Sequence, residues 1–162
     1  MKNLFIIANW MQGAALSGGD RIFIELAKRW GNKLNVSLFV SKEGNQICCR
    51  EGLNLANQKI WASDIFSGNR LSDGVYRTLN SIFHALCVTT SQEDIILSSS
   101  DFMPDSLPAF IIKLRNPKVK WIASFYLFAP RPWKKNSPYK GTKRVIGLMY
   151  WLSQLPAYYM IK

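Results

Sequence analysis

The chain has 162 residues, of which 48% are hydrophobic and 13% aromatic, and this composition excludes a disordered protein and suits one domain with its own core. Twenty-one basic residues against ten acidic ones give a formal net charge of +11, which favours an anionic partner: nucleic acid, anionic lipid or a phosphorylated substrate. The three cysteines lack the spacing of a metal site and indicate reduced thiols in a cytoplasmic protein.

The first apolar run, residues 4–8, is short and continuous, which predicts a strand buried on both faces rather than a secretory signal or a membrane span. A glycine-rich segment, residues 13–20, separates this run from an apolar helical stripe. That stripe consists of Ile22, Phe23, Leu26, Ala27 and Trp30. Ser17 and Asp20 fit a capping box, so the helix should begin near Gly18.

A strand, a glycine-rich loop and a helix N-terminus together form a natural anion site. Gly13 and Gly18 have the spacing of the P-loop, but Gly19 and Asp20 stand where that motif has lysine and a hydroxyl residue. The dinucleotide fingerprint Gly-x-Gly-x-x-Gly is also absent. Two interpretations remain: a phosphate site of another kind, or a tight turn that packs helix against strand.

Further along the chain, strands and helices alternate. Strands are predicted at 36–40, 58–62, 94–97 and 119–125, and helices at 75–87, 105–114 and 145–161. Residues 42–57 are polar and rich in turn signals, which predicts a loop. The alternation predicts an α/β fold, a Rossmann-like parallel sheet with helices on both faces.

The helix at 75–87 has an apolar stripe that predicts a core-facing side. The stripe consists of Val75, Tyr76, Leu79, Ile82, Phe83, Leu86 and Cys87. The only histidine, His84, lies within it and is predicted to be a packed or surface residue rather than a catalytic base. The apolar segment 145–161 is interrupted by Ser153, Gln154 and Pro156, which favours a buried or interfacial helix over a membrane span.

Residues 131–144 combine six cations with prolines and aromatic residues and contain no acid. The cations are Arg131, Lys134, Lys135, Lys140, Lys143 and Arg144. The prolines and Gly141 predict a loop. This loop is either an ordinary solvated basic segment or a surface that contacts phosphates, with Trp133 and Tyr139 at a membrane interface.

The first thirty-odd residues resemble the start of a family 4 glycosyltransferase of the GT-B fold. The resemblance lies in the strand, in Gly18-Gly19-Asp20-Arg21 and in the helix that contains Leu26-Ala27, and it continues more weakly at 94–100 and 120–124. It implies the N-terminal, acceptor-side domain of an enzyme that transfers a sugar from a nucleotide-sugar donor to an acceptor, including lipid-linked acceptors. It implies no cofactor besides that substrate, and no metal, because Asp-x-Asp is absent.

The resemblance also implies substrate-binding residues. They are Gly13, Gly18, Gly19, Ser99, Asp101, Tyr126, Arg131, Lys134 and Lys135. Family members often have histidines where Leu97, Ser99 and Tyr126 stand, so no histidine role carries over and no catalytic residue is assigned. From the residues alone, Asp101 could equally be a loop or capping carboxylate, and Tyr126 could simply pack.

Enzymes of this family hold the donor mainly in a second domain, so the resemblance implies that residues 1–162 form a single acceptor-side domain that is truncated and inactive alone. The alternative is a non-catalytic Rossmann-like module that binds anionic membrane or a protein partner, which would place it peripherally at the inner membrane face. A nucleic-acid partner is not expected, because it rests on charge only and no helix-turn-helix, RNP-like or zinc-finger pattern occurs.

Overall fold

The computed structural model of the chain describes residues 2–11, 16–62 and 70–161, and strands and helices alternate throughout these ranges. The elements are β1 (Asn3–Ala8), α1 (Gly18–Trp30), β2 (Asn35–Ser41), α2 (Lys42–Arg50), β3 (Asn57–Ala62), α3 (Arg70–Cys87), β4 (Ile95–Ser98), α4 (Met103–Arg115), β5 (Lys120–Ala123) and α5 (Lys143–Ile161). The strands form one all-parallel sheet in the order β3-β2-β1-β4-β5. The predicted α/β fold with a Rossmann-like parallel sheet is confirmed.

The sheet has a hydrophobic cluster on each face, so the predicted placement of helices on both faces is confirmed. On one face, α1 and α2 pack against side chains such as Leu4 and Leu38. On the other face, α3 and α4 pack against Ile7, Phe39 and Ile96. The two faces are called the α1–α2 face and the α3–α5 face below.

Helix α1 forms as its sequence predicts. The Ser17 hydroxyl accepts from the Asp20 N–H (3.2 Å), and the Asp20 carboxylate accepts from the Ser17 N–H (3.0 Å), which completes the capping box. The apolar stripe then buries Phe23, Ile24 and Ala27 against the sheet.

The predicted loop at 42–57 is partly wrong, because Lys42–Arg50 form α2. The Ser41 hydroxyl caps this helix by accepting from the Gly44 N–H (3.0 Å), and Ile47 and Cys48 fill the core. Two and a half turns with two buried apolar side chains carry too little periodicity to be recognised from the sequence.

The predicted core-facing side of α3 is wrong. Four apolar side chains of the stripe, Val75, Leu79, Phe83 and Leu86, are exposed. The buried side instead consists of Asp73, Arg77, Thr78, Ser81 and Ala85. Arg77 and Thr78 can be buried here because they find hydrogen-bond partners, and the small Ser81 and Ala85 let the helix lie close to the sheet. His84 packs as predicted, with its ring stacked 5.5 Å from that of Trp61.

Helix α5 is also buried through small and polar residues. Gly147, Ser153, Gln154 and Ala157 are buried, whereas Ile146, Leu148 and Tyr159 are exposed. Within the described ranges, no helix has both the length and the apolar character needed to cross a membrane.

A row of amides crosses the amino ends of the strands. The Asn57 side chain donates to that of Asn35 (3.1 Å), Asn35 donates to Asn3 (2.9 Å), and Asn3 donates to the Asp94 carboxylate (2.9 Å). Burial opposes ionisation of Asp94, but hydrogen bonds from Ser91 and Asn3 outweigh it and lower the pKa of this carboxyl.

Candidate functional site

The candidate site lies at the carboxyl ends of β1, β4 and β5. The sheet order places β1 between β2 and β4, so the chain leaves β1 towards one side and later returns on the other. Open parallel sheets bind ligands at such a switch point. Helix α1 begins here, and the residues that follow β4 and β5 lie beside it.

Three predicted site residues meet at this edge. The Tyr126 hydroxyl donates to the Ser99 carbonyl oxygen (2.9 Å) and lies 3.3 Å from the Gly19 carbonyl oxygen. A Cβ atom on Gly19 would lie 2.6 Å from the Tyr126 ring, so only glycine lets the ring lie this close. Burial raises the pKa of Tyr126, which keeps the hydroxyl protonated.

The first turn of α1 supplies backbone donors to the same place. The first N–H groups of a helix have no intrahelical acceptor, and the capping box uses only that of Asp20. The N–H groups of Gly18 and Gly19 therefore remain, with the positive end of the helix dipole behind them. The Asp20 carboxylate partly offsets this positive end, which moderates the attraction for an anion.

Asp105, in the first turn of α4, joins the segments of the site. Its buried carboxylate accepts from the Trp10 N–H (2.9 Å), the Ser99 hydroxyl (3.1 Å) and the Ser100 hydroxyl (2.5 Å). Burial raises the pKa of Asp105 to about 7, against the opposing effect of these donors. The sequence predicted only a helix start here, because the acid that directly follows the three serines is Asp101 and not Asp105.

Arg77 fixes the residues that follow β1. Its guanidinium is fully buried and donates to the carbonyl oxygens of Asn9 (2.7 Å) and Met11 (3.1 Å) and to the Glu43 carboxylate (2.8 Å). These contacts hold the chain immediately before residues 12–15. Gly13 lies outside the described residues, so its predicted role has no structural account.

Asn9 ends β1 beside this anchor. Its side chain is fully buried, and neither amide atom has a hydrogen-bond partner among residues 2–11, 16–62 and 70–161. Buried amides in native proteins are generally paired with protein, water or ligand atoms. Among the described residues, the Asn9 amide at the carboxyl end of β1 therefore has hydrogen-bonding capacity that no other group uses.

The side chains of Asp101, Arg131, Lys134 and Lys135 make no hydrogen bond to Gly19, Ser99 or Tyr126 within the described ranges. Asp101 is buried and accepts a short hydrogen bond from the Gln154 side chain of α5, so it ties α5 to the sheet instead of capping α4. Arg131, Lys134 and Lys135 are exposed on the loop before α5. No hydrogen bond within the described ranges joins their side chains to the Gly19 cluster.

A groove between α3, α4 and α5 opens beside this site. Its volume is about 540 Å³, within the range of roughly 300–1,000 Å³ typical of ligand pockets. One wall is an aromatic stack in which the Phe102 ring lies 4.7 Å from that of Trp10 and 5.4 Å from that of Tyr150. The sequence did not reveal this groove, because it placed the stripe of α3 in the core.

Comparison of the chain with protein-family models, curated proteins and solved structures finds no match. Within the described ranges, no three His, Cys, Asp or Glu side chains are close enough to hold a metal ion together. The case for a function therefore rests on the geometry of this edge and on the resemblance of the first thirty residues.

Proposed function

We propose that the chain is the acceptor-side domain of a GT-B glycosyltransferase that transfers a sugar from a nucleotide-sugar donor to an acceptor. The observation that carries this proposal is the meeting of Gly19, Ser99 and Tyr126 at the switch point of a parallel sheet. Gly19 belongs to the Gly-Gly-Asp-Arg segment that resembles the family, and ligands of open α/β sheets bind at this position.

Each group at this edge has a distinct part in the proposal. The N–H groups of Gly18 and Gly19 and the dipole of α1 stabilise negative charge on the diphosphate that leaves the donor sugar. The exposed edge of Tyr126 contacts the acceptor. Ser99 positions Tyr126 through its backbone carbonyl oxygen, which accepts from the Tyr126 hydroxyl. The hydroxyl proton of Ser99 is already donated to Asp105.

The basic loop extends the proposed acceptor site. Arg131, Lys134 and Lys135 are exposed and bind phosphate, either of a lipid-linked acceptor or of an anionic membrane. Cations near an anionic surface contribute roughly 1 kcal/mol each. By the same resemblance, a second domain holds the donor, so we expect no sugar transfer by the 162-residue chain alone.

The first experiment uses the contact between Gly19 and Tyr126. We expect a diphosphate-linked N-acetylglucosamine with a farnesyl chain to shift the amide NMR signals of Gly18, Gly19 and Tyr126. Gly19→Ala forces the Tyr126 ring to move and should weaken binding by about tenfold, comparable to one lost hydrogen bond. Gly18→Ala is the matched control, because a Cβ there has no atom within 4 Å.

Equal binding by the wild type and Gly19→Ala would contradict the proposed acceptor site. A radiolabelled transfer assay with UDP-glucose and GDP-mannose completes the test. Efficient turnover by the chain alone would show that it does not need a second domain.

A second candidate, a non-catalytic module that binds anionic membrane, is favoured by the exposed apolar side chains of α5 beside the basic loop. Leu127, Phe128 and Trp133 are also exposed there. Sedimentation with phosphatidylglycerol vesicles tests it: binding should fall on combining Lys134→Glu with Lys135→Glu, and Lys118→Glu serves as the control. Vesicle binding without any shift at Gly18 and Gly19 would favour this candidate over the transferase.

A further inference from the structure

The net positive charge of the chain comes from residues 106–162. All ten acidic residues lie in residues 1–105, together with ten of the 21 basic residues, so this part carries no net charge. Residues 106–162 contain the other eleven basic residues and no acid, and they account for the whole of the +11. Helix α5 and the loop before it lie entirely within this second part.

One wall of the groove between α3, α4 and α5, the wall formed by α5, belongs to this positively charged part of the chain. From α3 the groove receives Val75 and Leu79, and from α5 it receives Ile146 and Met149. Leu79 is 62% exposed and Ile146 is 60% exposed, so the apolar walls face solvent. Exposed apolar surface of this kind marks an interaction site in a folded protein.

The three hydroxyl groups that line the groove already donate their protons within the chain. The Thr78 hydroxyl donates to the Gly74 carbonyl oxygen (2.7 Å), and the Ser153 hydroxyl donates to the Tyr150 carbonyl oxygen (2.6 Å). The Tyr150 hydroxyl donates to the Leu127 carbonyl oxygen (3.0 Å). None of these protons is left for a ligand, so the groove suits an occupant that needs no hydrogen bonds. A peptide segment would leave its own N–H and C=O groups unpaired there.

The register of α5 places a cation at the end of this groove. Four residues of α5 line it at helical spacing: Ile146, Met149, Tyr150 and Ser153. The preceding position on the same side of the helix is Lys143, three residues before Ile146, and it begins α5. Lys143 is exposed, and no ion pair involves it within the part of the chain that the structure describes.

We propose that the groove between α3, α4 and α5 binds the hydrocarbon chain of a single lipid whose phosphate head lies at Lys143. The apolar walls match the hydrocarbon chain, the hydroxyl protons that line them are already donated within the protein, and the cation at the end matches the head group. Towards the other end of α3, the exposed Phe83 and Leu86 continue the apolar surface for a longer chain. The identity of this lipid as a sugar acceptor rests on the proposed function, whereas its binding in the groove does not.

The test maps binding directly. Dodecyl phosphate, below its micelle concentration, is titrated into the wild-type chain while the methyl NMR signals of Val75, Leu79, Ile146 and Met149 are followed. We expect saturable shifts at these four methyl-bearing residues, and none with inorganic phosphate at the same concentrations. Saturation without these shifts, or shifts spread equally over exposed apolar residues such as Leu127, would overturn the proposal.

Variants separate the contributions of the hydrocarbon chain and of the phosphate head group to lipid binding. Ile146→Asp should weaken binding by about tenfold or more, because it buries a charge against the hydrocarbon. Leu114→Asp makes the same change at an exposed position outside the groove and should bind normally. Lys143→Glu should weaken dodecyl phosphate but not dodecanol, whereas Lys118→Glu should leave both unchanged.

Equal binding by wild type and Ile146→Asp would overturn the groove as the binding site, and equal binding by Lys143→Glu would overturn the placement of the head group.

The outcomes also distinguish this proposal from the proposed function. Groove shifts with dodecyl phosphate, but no response at Gly18 and Gly19 to the diphosphate-linked sugar, would support lipid binding and contradict the transferase. A response at Gly18 and Gly19 to the diphosphate-linked sugar without groove shifts would support the transferase, with an acceptor whose hydrocarbon chain does not bind in the groove.

Discussion

The two faces of the sheet are stabilised by different interactions. On the α1–α2 face, the helices bury apolar side chains such as Phe23, Ile24 and Ile47. On the α3–α5 face, they bury Arg77 and Gln154 through hydrogen bonds, while several large apolar side chains of α3 and α5 face solvent. The first face is complete by itself, whereas the second leaves apolar surface available for a ligand or partner.

The sharpest test of this difference compares two phenylalanines. Phe23 in α1 is 1% exposed, and Phe23→Ala should lower the free energy of unfolding by about 3–5 kcal/mol through lost burial and a cavity. Phe83 in α3 is 65% exposed, and Phe83→Ala should change it by less than about 0.5 kcal/mol. Urea unfolding of both variants measures this, and equal losses would show that α3 packs through its apolar stripe.

The next test stays within α3. Arg77→Met should destabilise the protein by about 3 kcal/mol, because it leaves two buried carbonyl oxygens and the Glu43 carboxylate without this donor. Leu79→Asn, two residues away on the exposed side, is the matched control and should cost less than about 0.5 kcal/mol. A larger loss from Leu79→Asn than from Arg77→Met in urea unfolding would reverse the assignment of the two sides.

The last test is a pH dependence that Asp105 introduces on the α3–α5 face. The pKa of Asp105 is about 7 in the folded chain and about 4 when unfolded, so the folded state holds the extra proton between these values. Stability should therefore fall as the pH rises from about 4 to about 7, by at most about 1.4 kcal/mol per pH unit, and then level off.

Asp105→Asn removes this titration while keeping an acceptor for the Trp10 N–H and letting the serine hydroxyls rotate. Denaturant unfolding at pH 5 and pH 7.5 should show a smaller loss for this variant than for the wild type. Glu93→Gln, at an exposed position, should follow the wild type. Parallel curves for the wild type and Asp105→Asn would contradict the assignment of the titration to Asp105.

The sequence predicted the elements better than their orientation. The capping box at Ser17 and Asp20 is a local pattern, and so are the short apolar strands, which is why both could be recognised. The side of α3 that is buried depends on carbonyl groups of Asn9 and Met11, more than sixty residues away in the chain. Apolar periodicity identifies a two-sided helix but does not say which side meets the sheet.

The residues at the strand ends of the site could be predicted from the sequence, whereas the buried residues that support them could not. Gly19, Ser99 and Tyr126 follow strand ends, and the parallel topology brings strand ends together, so their meeting follows from the pattern. The roles of Asp105 and Arg77 depend on which buried groups lack partners, and that is settled only by the packed structure. The groove could not be predicted because it depends on the exposed side of α3.

The amide row at the amino ends of the strands has a consequence for how the sheet aligns. Ionised Asp94 only accepts, so the donors run one way from Asn57 through Asn35 and Asn3 to this carboxylate. A slip of one residue in any of these strands would turn an amide to the wrong side and interrupt the row. The amino edge thus fixes the alignment of four strand starts, and the loops at the opposite edge can change in sequence and length without disturbing it.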